Sequence, residues 1–208
     1  MQPFTALETV ACPLPLANID TDQLLPARFL KRPRAAGYGA FLLHDLRFGA
    51  DGRGVGAFAL DDPRYKGAQA LVTRRNFGGG SSREGAVYAL VDFGIRCVIA
   101  PSFGDIFASN SVINGLLPAR LEEAEIEALL TAQNLVNGDA IRIDLATQRI
   151  VCGNTSYEFR IDPFWKSLLL NGWDYIDLTT SYSDEIAGFA AADAQRRPWA
   201  VPKVRPAT

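Results

Sequence analysis

Six consecutive residues, Gly78-Gly79-Gly80-Ser81-Ser82-Arg83, combine more chemical potential than any other stretch of the chain. Three glycines, lacking Cβ atoms, let the backbone approach a ligand closely. A helix opening behind them would offer free N–H groups and a partial positive charge, which suits an anion. Arg83 adds a planar fork that meets a carboxylate or phosphate through two parallel bonds. Three common loops are excluded on residue types. A Walker A loop needs a lysine near its end, and the dinucleotide fingerprint needs its third glycine where Arg83 stands. A nucleophile elbow, Gly-x-Ser-x-Gly, fits neither Ser81 nor Ser82. A carboxylate-bearing substrate is left. Ser81, beside helix N–H donors and Arg83, has the surroundings that stabilise an alkoxide, so it could act as a general base without histidine. The alternative makes Ser81 a helix cap and Arg83 a partner of Glu84 or of solvent.

A second constellation is Asp20-Thr21-Asp22 followed by the basic residues Lys31, Arg32 and Arg34. Carboxylates and cations this close either orient a polar substrate or form a turn followed by a solvated basic face. Sequence alone does not bring this segment and the Ser81 loop together.

Other chemistries lack their residues. The one histidine, His44, lies in the apolar run Phe41-Leu42-Leu43 and is expected to be structural or at the surface. Cys12, Cys97 and Cys152 share no ligand-like spacing, so the chain is expected to hold no zinc or iron–sulfur centre alone. An odd number of distant cysteines fits buried thiols in a reducing compartment. Lys and Arg number 21 against 23 Asp and Glu, a net charge of −2 that gives no support for nucleic-acid binding. No apolar run is long enough for a membrane span, and Glu8 and prolines interrupt any signal-like N-terminus. A cytoplasmic location is expected.

Several elements must position these residues. The first third reads as irregular, with Asn18–Pro26 as a loop and the glycine-dense residues 49–56 as a surface loop. Residues 68–73 form a buried strand that runs into the glycine turn. A helix follows, capped by Ser81 or Ser82 and carrying Ala86, Val87, Leu90 and Val91, and then a second strand at 97–100. That order is a βαβ unit with parallel strands. Helices are expected at 105–110, 122–133, 163–170 and from 184, and a β-meander at 140–145, 149–151 and 157–161. Residues 1–197 are expected to form one domain and 198–208 a frayed tail.

The motifs then add up. Asn18-Ile19-Asp20-Thr21-Asp22-Gln23-Leu24-Leu25-Pro26, Phe29-Leu30-Lys31, Gly37-Tyr38-Gly39 and Asp45-Leu46-Arg47-Phe48 resemble the small subunit of 3-isopropylmalate dehydratase. So do Asn76–Glu84, Val98–Phe107 and Asn114-Gly115-Leu116-Leu117-Pro118, in order over nearly the whole chain. The family belongs to the aconitase superfamily, in which this chain is similar to the swivel domain. The resemblance implies an α/β fold, a swivelling β/β/α domain with a mixed sheet and flanking helices. It implies a partner large subunit carrying a [4Fe–4S] cluster, with no cofactor on this chain. The reaction implied is the interconversion of 2-isopropylmalate and 3-isopropylmalate through an alkene, a step of leucine biosynthesis. By motif, Ser81 and Arg83 match the base and the carboxylate clamp. Thr21, Asp22, Gly80 and Ser82 match further substrate-binding positions, and Lys31, Arg32 and Arg34 a looser basic segment. Gly79 and Gly85 stand where the family usually has Cys and His. Related dehydratases of methylmalate-type acids or homoaconitate share the loop, and a non-catalytic anion-binding module of the same fold is the reading from another class.

Overall fold

Ala70–Thr73 (β2) and Cys97–Ala100 (β3) are buried at every position. That unbroken apolar pattern belongs to parallel strands covered on both faces. Ala140–Asp144 (β5), Arg149–Cys152 (β6) and Thr155–Glu158 (β7) bury only some positions, those of β5 and β6 in alternation, and pair antiparallel. Between the two groups lies Ala6–Leu14 (β1), parallel to β2 and antiparallel to β5. With Leu117–Arg120 (β4) the order is β4-β3-β2-β1-β5-β6-β7, a mixed sheet of seven strands among the described residues. The sheet curls. Arg120 at the end of β4 bridges Arg160, just beyond β7, through backbone bonds of 3.1 and 2.8 Å, so the two outer edges meet at one end.

The computed structural model describes residues 1–49, 51–56, 58–80 and 83–200. The chain divides into two compact units, Met1–Trp173 and Asp174 onward. The first unit holds the sheet and the short helices Thr21–Leu24 (α1) and His44–Arg47 (α2). It also holds Glu84–Phe93 (α3), Asp105–Ile113 (α4), Glu123–Thr131 (α5), Gln133–Asn137 (α6) and Pro163–Asn171 (α7). The core lies around Leu71, Phe77, Leu90 and Val98, all buried. The second unit contains Tyr175–Ser181 (α8) and Ser183–Arg196 (α9), neither with a buried residue, and a 3-10 turn at Pro198–Ala200. The rest of the expected tail, 201–208, lies outside the described residues.

Three expectations are corrected. The N-terminal third is not irregular throughout: Ala6–Leu14 is β1, the longest strand of the sheet and its central member. The segment 117–120, where the sequence suggests no element, is β4, with Pro118 inside it. The helix expected over 122–133 breaks at Ala132, whose extended ψ of 128° separates α5 from α6. Residues 51–56 are exposed, as a surface loop should be, with Phe48 bridging Gly54 and Gly49 N–H donating to Arg53 O at 2.8 Å.

Candidate active site at the glycine turn

The turn stands at the carboxyl end of β2, where open α/β sheets place their ligands. Phe77 bridges Phe103, which follows β3, and Gly104 N–H donates to Phe77 O at 2.9 Å. The β2–α3 and β3–α4 connections therefore lie side by side, and two helix N-termini, those of α3 and α4, come close to the turn. Gly78 has a φ of +71°, and a Cβ there would fall 2.1 Å from Cγ of the buried Phe107 ring. Only glycine lets the chain turn against that ring. A cavity of about 210 Å³ beside it is lined by Gly78, Gly80, Gly104, Asp105, Ile106 and Phe107. A larger cleft, about 1260 Å³ and lined by Arg75, Ser102, Arg120, Arg160 and Trp165 among others, holds none of the candidate residues.

Ser81 and Ser82 lie outside the described residues. The helix they were expected to cap begins at Glu84, with Arg83 in the cap position at φ −86°, ψ 104° and no side-chain cap bond.

The structure joins the two constellations. Asp20 bridges Gly79, Gly78 N–H donates to Ile19 O at 2.7 Å, and Thr21 N–H donates to Gly79 O at 3.0 Å. Asp20 caps α1: its carboxylate accepts from Gln23 N–H at 2.7 Å, while the Gln23 side-chain Oε1 accepts from Asp20 N–H at 3.0 Å. This capping box fixes where the next two side chains point. Thr21 is buried, and a Cβ at Gly80 would stand 3.7 Å from its Oγ1. Asp22 accepts a hydrogen bond from Nη1 of Arg83. Glu84, the alternative partner of Arg83, is instead held by Asn114, whose Nδ2 donates to it at 3.0 Å. The remaining nitrogens of Arg83 have no partner among the described residues.

The basic segment is divided in its tasks. Arg34 donates Nη2 to Asp92 on α3 at 2.7 Å and Nε to both carboxylate oxygens at 3.2 Å, and its guanidinium stacks 3.9 Å from the Tyr88 ring centroid. Its charge is engaged in tying this segment to α3. The Asp92 carboxylate raises the Arg34 pKa. Burial and the nearby Glu84 raise that of Tyr88. Arg32 lies over the stacked rings of Phe29 and Phe41, 5.9 and 5.2 Å from their centroids. Lys31 is exposed. Arg28 hydrogen-bonds Asp45 and holds its carboxyl down at about 2, and His44 packs between the Phe29 and Phe48 rings, a structural place.

At Gly85, a Cβ would lie 2.9 Å from Leu25 and 3.0 Å from Leu30, so Leu25 and Leu30 fill the space that a larger residue would need. The sequence reading missed Asn18, Asn76, Asp92 and Ser102, which hold the site from outside it. Asn76, Asp92 and Ser102 each stand two residues before a glycine, which was the available signal; Asn18 has no glycine beside it.

The aconitase C-terminal domain model matches residues 1–124. The chain is 45% identical to the 3-isopropylmalate dehydratase small subunit of Paramagnetospirillum magneticum over 96% of its own length and all of that relative's. The chain belongs to the 3-isopropylmalate dehydratase small-subunit family. The family's protein from Shouchella clausii is 46% identical over 91% of this chain and 95% of that one. A crystal structure of 3-isopropylmalate dehydratase from Methanocaldococcus jannaschii is similar at a TM-score of 0.64 and 25% identity, covering 88% of this chain and 99% of that one.

For this family member, the described residues include no group of three or more His, Cys, Asp or Glu side chains placed to hold a metal ion. Its cysteines do not fit an iron–sulfur cluster: all three are buried, and burial pushes the Cys12 thiol up to about 12 and that of Cys97 in the same direction. Cluster ligands must be thiolates. No helix among the described residues is long and apolar enough to cross a membrane.

Proposed function

We propose that this chain is the small subunit of a cytoplasmic 3-isopropylmalate dehydratase that interconverts 2-isopropylmalate and 3-isopropylmalate in leucine biosynthesis. Its partner is a large subunit carrying the [4Fe–4S] cluster. The observation that carries the reading is the pairing of Asp22 with Nη1 of Arg83, whose other nitrogens have no partner among the described residues, beside a glycine turn near two helix N-termini.

A diacid entering this site loses the water around a carboxylate, a cost that only matched donors offset. The open edge of Arg83 supplies two parallel N–H groups to that carboxylate. Asp22 holds the opposite edge, so the guanidinium keeps its plane while the substrate turns over. Gly80 keeps the backbone low beside Thr21, and Ser82 contributes a donor to the same carboxylate. Ser81, as its alkoxide, takes the proton from one carbon while the hydroxyl leaves the neighbouring carbon, giving the alkene; the serine then passes that proton to the departed hydroxide, which becomes water. Water added in the opposite sense gives the isomer. Lys31 and Arg32 draw the second carboxylate toward the site, and Arg34 fixes the segment that carries them.

Co-expression with a large subunit of the family, followed by anaerobic assay of isopropylmalate, methylmalate-type and homoaconitate-type diacids, tests the reading. Turnover of isopropylmalate above the other acids is expected. Preference for another diacid moves the chain to a sister dehydratase. A stable complex without turnover of any of them makes it an anion-binding module.

A further inference from the structure

We propose that Asn18 and Asn76 are positioning residues, whose side-chain amides lock the loop bearing Asp22 to the turn bearing Arg83. The inference rests on the functional reading above. Asn76 Nδ2 donates to Asn18 Oδ1 at 3.0 Å across 58 residues of sequence. Both residues take left-handed backbone angles, φ 58° at Asn18 and 60° at Asn76, a region that residues with a Cβ seldom occupy. Their backbones are tied as well. Asn18 N–H donates to Arg75 O at 2.9 Å, and Asn76 N–H donates to Ser102 Oγ at 2.9 Å. The ends of β1, β2 and β3 therefore meet at this amide pair. The catalytic segments begin immediately after it, at Ile19 and at Phe77. Gly79 leaves room for it: a Cβ there would lie 3.0 Å from Asn76 Oδ1.

The amide pair is solvent-exposed, so water replaces it readily and it adds little to folding. Its effect is on register. A displacement of a substrate-holding group by about 1 Å costs up to 10²-fold in rate. Asparagine is also a frequent left-handed residue for backbone reasons alone, and glycine substitutions separate the two roles because glycine adopts those angles freely.

The test uses Asn18→Gly, Asn76→Gly, Asn76→Asp and Asn18→Asp, each in the complex with the large subunit. Both glycine variants and Asn76→Asp are expected to lower kcat roughly tenfold with a smaller change in KM. Asn18→Asp keeps the acceptor and is expected to retain most of the turnover. Kinetics within twofold of wild type in both glycine variants would overturn the proposal, as would equal damage in Asn18→Asp and Asn18→Gly. A second measurement needs no turnover. In the isolated, isotope-labelled chain, the Arg83 guanidinium protons slowed by Asp22 should exchange faster in the glycine variants and unchanged in Asn18→Asp. Unaltered exchange in the glycine variants overturns the proposal even if the wild-type complex acts on no diacid, an outcome that would count separately against the functional reading.

Discussion

Asp22 and Arg83 pair across 61 residues of sequence, joining the loop after β1 to the turn after β2. Asp22 is 56% exposed and Arg83 25%, so their attraction is screened and contributes about 0–1 kcal/mol to folding. Asp22→Asn should therefore melt within a few degrees of wild type. Its kcat should fall about tenfold, because the guanidinium loses the partner that fixes its plane. Thermal melts of the isolated chain and steady-state kinetics of the complex check the two halves. An unchanged kcat would show that Arg83 needs no such support.

Arg83→Lys keeps the charge and loses the fork. Loss of kcat/KM by about 10- to 100-fold is expected, with both KM and kcat affected. Combined with Asp22→Asn, the losses should fall short of multiplying, since one interaction cannot be removed twice. A double-mutant cycle measures this directly, and fully multiplicative losses would place the two residues in independent roles.

Arg34 has a different forecast. Its bonds to Asp92 and its place over Tyr88 make it an anchor for the basic segment. Arg34→Met should cost about 1 kcal/mol of stability in urea unfolding, since the pair is partly exposed. The kcat/KM of the folded complex should stay within about threefold, a loss of under 1 kcal/mol. A collapse of kcat/KM without a stability change would instead put Arg34 against the substrate.

How much of this was legible follows from where each signal lies. The β2–turn–α3–β3 unit and the meander stand out because apolar runs, glycines and alternation are local patterns. Strands β1 and β4 were hidden by prolines, Pro13 and Pro118, that the sheet accepts. Asp22 and Arg83 were each visible as charged residues beside turn formers. Their pairing was not, because it depends on β1 and β2 lying parallel. The pairing of Arg34 with Asp92 was hidden in the same way: Asp92 is 58 residues away and nothing local points to it.

Gly78→Ala tests the packing under the turn. The new Cβ would fall within the ring of Phe107, which also packs on Phe77 and Phe103. With a positive φ in addition, a loss of about 3 kcal/mol or more is expected. Urea unfolding measures it, and a near-neutral result would mean that the ring has room to retreat.

The buried thiols give a pH forecast. Burial raises the Cys12 pKa from 9.0 to about 12, so the folded chain holds this proton where the unfolded chain releases it. Stability from this source is complete below pH 9 and declines as pH rises from there toward 12. Cys12→Ala should flatten part of that decline in alkaline melts. Thiol reagents at neutral pH should leave Cys12 and Cys97 unmodified until the chain unfolds, and rapid labelling of the native protein would contradict their burial.

The seam between Arg120 and Arg160 also bears on how the protein is made. During synthesis β4 emerges before the residue that closes the sheet, and its outer edge waits as an open template for any passing strand. Leu117 N–H donates to Arg96 O on the β3 side, so by alternation the nitrogen of Pro118 faces outward. That nitrogen carries no proton. A stray strand therefore meets a gap in the ladder at the middle of the edge, while Arg160 needs only the bonds at Arg120. The nascent chain thus shields itself from neighbouring copies until its own closing residue arrives.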